Sequence, residues 1–595
     1  MHTFHVSPSG DDTHTGSPEQ PLRTIHAAAG RAQPGDTISV HAGVYREQID
    51  PPRGGLSDDR RITYQAAPGE QVVITGSEPV RDWEPIAKDL WQARIPNTVF
   101  GTFNPFADKI RGHWFRDKGR NHHTGAVYLN GHWLVEAASR EALFEAPAPE
   151  AEPLWFGEVD ATHTTILAQF PGIDPNAALV EINVRQSVFY PSRTGVDYLT
   201  VRGFTLRHAA TPWAPPTTEQ IGLLGTNWSK GWIIEGNVIS HSICTGITLG
   251  KYHDPLDFGD KPIVEFTQSE DTYHGTIRRA LEHGWNGDRV GHHRVRDNRI
   301  SHCEMAGIAG SLGAIFCEVT GNTIHDIDVR RLFHGFEMAG IKFHGAIDTR
   351  IAHNHVFRCN RGLWLDWMSQ GTRVTGNLFH DNGPECDLFI EVNHGPCTID
   401  HNLFLSPVSL VDWSEGTLYA HNLFAGSIQQ HSELGRTTPH HRPHSTEVVA
   451  FANIPGGDNR FFHNLFLPPS DLTPYDGTKP HPSFFRNNVF VGGATPSARD
   501  HSAIPLAAES PACRCELRES AIFLHHNLPP LPAVATSPID AESVGTARIN
   551  GLPFQDTDGG PLRFDRDYLG HTRDATHPQP GPFAAFPPAG VTRIG

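Results

Sequence analysis

Between Gly362 and Glu391 apolar and polar positions alternate twice in one register: Gly-Leu-Trp-Leu-Asp ends at Asp366, and Asp-Leu-Phe-Ile-Glu ends at Glu391. Each run stands ahead of an Asn-Leu-Phe triplet, at Asn377 and Asn402, by the same 11 residues. A period of two marks a strand with different surroundings on its two faces. Leu363, Leu365, Leu388 and Ile390 therefore face a core, while Trp364, Asp366, Phe389 and Glu391 face outward. Asparagines opening similar strands recur at 237, 298, 322, 354, 377, 402, 422, 464 and 488, so the unit is about 20 to 25 residues and the longer gaps hold insertions. A leucine-rich repeat has a similar period, but its Leu-x-x-Leu-x-Leu pattern is absent. The pattern predicts a parallel β-helix, in which Asp366 and Glu391 lie on neighbouring strands about 5 Å apart.

The flanking segments depart from that rhythm. An Ala-rich helical stretch over 24–32, with Thr24 able to cap it, leads into Pro34-Gly35-Asp36-Thr37-Ile38, a turn and then an alternating strand. A helix there covers the open end of a solenoid, and it resembles the entrance of right-handed parallel β-helix proteins. Strands follow at 61–64 and 72–75. From about 76 to 182 short strands marked by Trp83, Trp91, Tyr128 and Trp155 have no period of their own, which predicts an inserted antiparallel β-sandwich. The organisation expected is a cap with first rungs over 1–75, the sandwich over 76–183, the main coil over 184–510 and a Pro-rich extension packed on it over 511–595. Insertions at about 251–298, with a helical pattern around 269–281, and at about 429–447, rich in His and Pro, are long enough to wall the outer face into a pocket.

Composition narrows the function. A formal charge of −18 opposes a nucleic-acid partner, which requires clustered Lys and Arg, and weakly opposes polyanionic sugars, so a neutral substrate fits better. No apolar run of about 18 residues and no leader pattern at Met1 point to a membrane or to export, so the expected location is cytoplasmic. The 8 cysteines lack zinc-ligand spacing and read as reduced thiols. The 38 histidines include His353, His401, His421 and His463 just before repeat asparagines, which is turn chemistry rather than ligation, and neither a metal nor another cofactor is called for. Oligomeric state is not readable; a homo-oligomer in which a partner's loop completes the pocket is compatible with the long insertions.

Stacking the rungs predicts an outer ladder of His344, Asp366, Glu391 and Asp412, with Lys342 near Trp364 and with Trp364, Phe389 and Trp367 as an apolar platform for a sugar ring. Two carboxyl groups about 5 Å apart are what a retaining glycosidase needs, and like charges that close push one pKa upward. Spacing alone does not say which acid takes which role. A polysaccharide lyase, with Lys342 as base and calcium beside an anionic sugar, and a non-catalytic carbohydrate-binding solenoid are the readings from other classes.

Gly362-Leu-Trp-Leu-Asp-Trp, Gln370-Gly-Thr-Arg, Glu391-Val-Asn-His-Gly-Pro, Thr211-Pro-Trp-Ala-Pro-Pro, Asn227-Trp-Ser-Lys-Gly-Trp-Ile-Ile and His444-Ser-Thr-Glu resemble the β-xylosidases of glycoside hydrolase family 120. Gly55-Leu-Ser-Asp, Phe103-Asn-Pro and Gly112-His-Trp114 extend the resemblance over most of the chain, and it is weakest after about residue 500. It implies a right-handed parallel β-helix interrupted by a β-sandwich, with Asp366 as nucleophile and Glu391 as general acid/base. It places Glu337 and Trp114 in sugar binding, where Phe336, Trp364, His344, His394 and Asp412 join them as candidates. Phe336 stands where the family has His, an apolar ring in place of a hydrogen-bonding one, which bears on glycone selectivity. The activity expected is exo-acting, retaining release of xylose from short β-xylo-oligosaccharides. An α-L-arabinofuranosidase or another pentosidase on the same machinery is the close alternative.

Overall fold

The computed structural model describes residues 1–145, 152–256, 273–478, 480–519, 521–536 and 539–595. The chain divides into two compact units: Met1–Ile263 with Arg299–Ala309 and Arg330–Met338, and Val264–Asn298 with Gly310–Val329 and Ala339–Gly595. Each contains coils of a parallel β-helix, and each is described by itself.

In the first unit the helix Ile25–Arg31 is capped by Thr24, whose Oγ1 accepts from the Ala27 N–H at 3.1 Å, and it buries Ile25, Ala28 and Ala29. Strands Thr3–Val6, Thr37–Val40, Ile62–Ala66, Leu199–Arg202 and Ile233–Glu235 pair in parallel in that order. A second sheet joins Gly43–Tyr45, Val72–Thr75, Thr205–Ala209, Val238–Ser242 and Arg299–Cys303. Val73 pairs with Thr205, so the coil closes over an insertion. The inserted residues form one sheet of His132–Trp133, Val127–Leu129, Val180–Asn183 and Ser77–Pro79, and another of Val135–Glu136, Leu154–Val159, His163–Gln169, Leu90–Pro96 and Glu84–Ala87. All their pairings are antiparallel except that of Val135–Glu136 with Leu154–Val159. Trp83, Phe100, Phe106, Trp155, Ile166 and Phe170 fill their shared core.

The second unit carries three parallel sheets. One runs from Arg294–Arg296 to Phe484–Arg486, a second from Thr323–Ile327 to Ile504–Leu506, and the third holds Ala339–His344, Leu363–Asp366, Leu388–Glu391, Val408–Trp413 and Ser427–Gln430. The repeat asparagines explain why the rungs stack. Asn377 Nδ2 donates to Asn402 Oδ1 at 2.9 Å, Asn402 Nδ2 to Asn422 Oδ1 at 3.0 Å and Asn422 Nδ2 to Asn464 Oδ1 at 3.1 Å, while each Oδ1 also accepts the preceding asparagine's backbone N–H. These buried amides satisfy one another where the chain turns away from the sheet. The turn needs a left-handed residue before each asparagine, and His353, His401, His421 and His463 all have φ of 55°. Inside the coil Phe379, Phe404, Phe424, Phe466 and Phe490 stack at centroid spacings of 5.0 to 5.3 Å.

Three further pieces of this unit pack on the coil. The helix Tyr273–Glu282 occupies part of the first long insertion; the start of its predicted span, Ser269 to Thr272, lies outside the described residues. The second insertion is a hairpin of Glu433–His441 and Val448–Ile454. The C-terminal residues form an antiparallel sheet of Cys513–Arg518, Ala521–His526 and Gly590–Arg593, and Leu524, Phe583 and Ile594 pack against Leu378 and Leu403 of the coil. All 8 cysteines are free thiols.

Candidate active site

The third sheet sets the register of the acids. Lys342 pairs with Trp364 and His344 with Asp366, while Trp364 pairs with Phe389 and Leu365 with Ile390, one position before each carboxylate. Asp366 and Glu391 therefore end neighbouring parallel strands, one strand spacing of about 5 Å apart. Immediately after them the backbone turns through left-handed residues, Trp367 with φ 30° and Val392 with φ 47°. A β-branched residue rarely adopts that region, so the turn is held by its surroundings.

The outward face is covered rather than solvated: Asp366 is 5% exposed and Glu391 6%. The helix lays Tyr273 and His274 edge-on to Trp367 at 5.4 and 5.2 Å, and Tyr273 against His344 at 5.3 Å. The hairpin brings Arg436, whose Nη2 donates to Glu391 Oε1 and whose Nε pairs with Glu433 at 3.2 Å. Gln370 fastens that hairpin: its Nε2 donates to the His441 carbonyl at 3.1 Å, and its Oε1 accepts the His441 N–H at 3.0 Å.

The two carboxyl groups have opposite surroundings. Asp366 Oδ2 accepts from Lys342 Nζ at 2.6 Å and meets His344 Nε2 at 3.0 Å, and Oδ1 accepts the Trp367 N–H at 2.7 Å. Burial alone would raise its pKa, but the Lys342 charge and then His344 outweigh it, and the carboxyl is held well below the ordinary range. Glu391 Oε2 accepts from Trp364 Nε1 at 3.1 Å. Its pKa is pushed up by burial and then by the charge of Asp366, with Arg436 and Lys342 opposing. His344 is driven down to about 4 by burial and by Lys342, so at neutral pH it is an uncharged ring beside Asp366. A carboxyl group held down next to one pushed up is the arrangement that separates nucleophile from proton donor.

Several expected contacts fall elsewhere. Asp412 is not in the outer ladder: it pairs with Ile390, and Trp413 takes the place beside Glu391. Asp412 points into the coil, where it accepts from Tyr475 Oη at 2.7 Å, Asn459 Nδ2 at 2.8 Å and the Ser414 N–H at 3.0 Å, and burial lifts its pKa to about 7. His394 meets Glu415 Oε1 at 2.7 Å and the Thr438 carbonyl at 3.1 Å, so both ring nitrogens hold protein, and the residue anchors the hairpin instead of a sugar. Trp364 is not an open platform. Lys342 Nζ lies 2.9 Å from its ring centroid, Phe389 stacks at 5.0 Å and Arg361 lies at 4.1 Å, while its indole N–H positions Glu391. Phe389 and Trp367 are buried as well.

Phe336, Glu337 and Trp114 belong to the first unit. There Phe115–Arg116 pairs antiparallel with His334–Gly335, the Phe336 N–H donates to the Trp114 carbonyl at 3.1 Å, and the Arg116 guanidinium lies 5.4 Å from the Phe336 ring centroid. The insertion thus delivers Trp114, which has φ 62°, next to Phe336 and the buried Glu337.

A sequence profile for the insertion domain of glycoside hydrolase family 120 matches residues 80–182, and a right-handed β-helix profile matches residues 221–424. A solved structure of XylC in complex with xylose aligns with a TM-score of 0.93 at 36% identity, covering 100% of both chains. This chain belongs to glycoside hydrolase family 120. The family 120 chain is a glycoside hydrolase, and its fold is a right-handed parallel β-helix with an insertion domain. Another solved glycoside hydrolase aligns over 85% of this chain and 96% of its own at 12% identity with a TM-score of 0.43. The uncharacterised protein YwoF of Bacillus subtilis (strain 168) is 38% identical over 73 residues, which are 12% of this chain and 15% of that protein.

Two polar residues of this family 120 site were not read, or not read fully, from sequence. Lys342 was placed beside Trp364, but its ion pair with Asp366 was not foreseen, although a lysine in register with an outward acid one rung on carries that signal. Arg436 lies 45 positions beyond Glu391 in an insertion without a period, and no spacing in the sequence connects the two.

Proposed function

We propose that this family 120 enzyme is an exo-acting, retaining β-xylosidase that removes xylosyl residues from the non-reducing ends of short β-xylo-oligosaccharides. The observation that carries the reading is the opposite electrostatic setting of two carboxyl groups one strand apart, Asp366 against Lys342 and His344 and Glu391 between Trp364 and Arg436. Their place on neighbouring strands, whose backbones lie about 5 Å apart, supports a retaining pair, in which no water stands between acid and base. Xylose is favoured as glycone because the full-length structural relative, XylC, was solved with xylose. Deep burial of the pair favours exo action, since an endo-acting enzyme needs an open groove for a passing chain.

In the first step Glu391 gives its proton to the leaving oxygen and Asp366 attacks the anomeric carbon to form a glycosyl ester. Esterification removes the Asp366 charge that raised the Glu391 pKa, while Arg436 and Lys342 remain. Glu391 then holds its proton less tightly and acts as base toward the incoming water. Lys342 is engaged with Asp366, which speaks against a lyase that needs it as base. Glu337 and Trp114 are assigned to sugar binding on the family resemblance. The exposed Phe336 ring keeps a second reading, an α-L-arabinofuranosidase, in view.

A 2-deoxy-2-fluoro-β-xyloside with a good leaving group tests the nucleophile, because the fluorine slows breakdown of the glycosyl ester. The expected result is one label per chain on the peptide that contains Asp366. A label on any other carboxylate, or none despite turnover of the parent xyloside, overturns the assignment.

A further inference from the structure

A cavity lies in the second unit where the C-terminal extension packs on the coil. Its volume is about 190 Å³, and its lining includes His421, His463, Thr536, Phe564 and Arg573. His421 and His463 stack at 5.1 Å and are 2% and 0% exposed. Neither ring nitrogen of His463 has a hydrogen-bond partner, and the same holds for Nδ1 of His421 and Nε of Arg573. Arg573 is 5% exposed; its Nη1 and Nη2 donate to the carbonyls of Gln579 at 2.7 Å and Gly581 at 3.0 Å, and among the described residues no carboxylate lies within ion-pair distance of it. Arg486, whose backbone carbonyl accepts the His463 backbone N–H at 2.8 Å, also has unpartnered Nε and Nη2 atoms, and its guanidinium lies 4.6 Å from the Phe462 ring centroid.

Leaving several buried N–H groups unpaired costs about 1–3 kcal/mol each, so their convergence on one cavity calls for an acceptor. The buried guanidinium of Arg573 lines the cavity without a contact carboxylate, which makes that acceptor an anion. Of the acids around it, Asp565 and Asp574 are exposed, Asp400 is held by Arg373 at 2.9 Å and His401 at 2.8 Å, and the buried Asp567 accepts the backbone N–H groups of Leu569, His571 and Ala584 at 2.9, 2.7 and 2.8 Å. We propose that this cavity is a binding site for a small oxyanion of the phosphate or sulfate class, held by Arg573, His463 and His421. The space is several times the roughly 30 Å³ a water occupies in the liquid, so it admits a tetrahedral oxyanion with its own waters. His463 is driven down to about 3 by burial and then by the charges of Arg486 and Arg573, so it is an uncharged ring at neutral pH, and burial lowers Arg573 to about 10 against the opposing charges of Asp567 and Asp400.

Nothing in the two-carboxylate chemistry uses these residues, so the test reads binding, not turnover. Phosphate is titrated into the full-length protein by calorimetry at pH 7, with ionic strength held constant by sodium chloride, and sulfate is run in parallel. The expected result is saturable binding of one ion per chain, weakened about tenfold or more in His463→Phe, which keeps the ring stack and deletes both nitrogens. Arg573→Lys keeps the charge but loses the fork geometry, and it should weaken binding as well, which covers the case in which His463→Phe fails to fold. Absence of saturable binding to either ion, or equal affinity in both variants and the parent, overturns the proposal.

Discussion

Replacing Arg436 by Ala removes the cation that donates to Glu391 Oε1 and leaves Trp364 as the remaining side-chain donor there. Opposite unit charges about 4 Å apart attract by ~4 kcal/mol at an effective dielectric of about 20. That is ~3 pK units at about 1.36 kcal/mol each. Water entering the vacated space restores about half of the lost stabilisation, so the Glu391 pKa should rise by ~1 to 2 units. Glu391 must hold its proton to act as the acid, and activity is lost as pH rises through its pKa; a raised pKa therefore carries the alkaline limb upward. The assay is kcat/KM for an aryl β-xyloside across about pH 4 to 10, which reports the free enzyme. Arg436→Lys, which keeps the charge, should return the limb most of the way to the parent. An alkaline limb that stays in place or moves down in Arg436→Ala refutes the electrostatic account of the pair.

Three other outcomes follow from the same contacts. Asn402→Ala deprives two buried donors of Asn377 of their acceptor and frees the Val374 carbonyl, at about 1–3 kcal/mol per unsatisfied group. A loss of ~3 to 9 kcal/mol is expected from the urea midpoint, and a change under ~1 kcal/mol by that scale would show the ladder to be dispensable. His241, His355 and His463 are each lowered to about 3, burial being the first cause, so the unfolded chain takes up protons between pH ~6.5 and ~3 that the folded chain refuses. Unfolding free energy should fall as pH drops through that window, by about 1.4 kcal/mol per pH unit for each ring, and a flat profile contradicts it. Phe336→His should raise the ratio of kcat/KM for a β-xyloside over an α-L-arabinofuranoside by about tenfold or more, and an unchanged ratio removes Phe336 from glycone selection.

The register of the acids was legible because two unrelated signals agree on it: the in-and-out alternation of Leu363 to Asp366 and the constant distance to the next asparagine. The left-handed turn explains why histidine precedes so many of those asparagines, which the sequence reading took as turn chemistry. Asp412 was misplaced because Val408–Trp413 presents bulky apolar residues on both faces, Leu410 inward and Val411 and Trp413 outward, so its parity is hidden. Trp364 looked like an open platform because alternation separates core from outside but does not say whether a loop then covers the outside. The covering groups, Arg436 of the hairpin and Tyr273 of the helix, sit in insertions without a period, where only the folded chain shows which rung they reach.

The most direct test of the central claim is a proton NMR time course of an aryl β-xyloside, followed before the released sugar mutarotates. If Asp366 and Glu391 work as a close pair through a glycosyl ester, β-xylose appears first and the α anomer grows in later. If α-xylose appears first, a water has attacked from the opposite face, the two carboxyl groups stand farther apart during catalysis than one strand spacing, and the assignment of Asp366 as nucleophile is wrong.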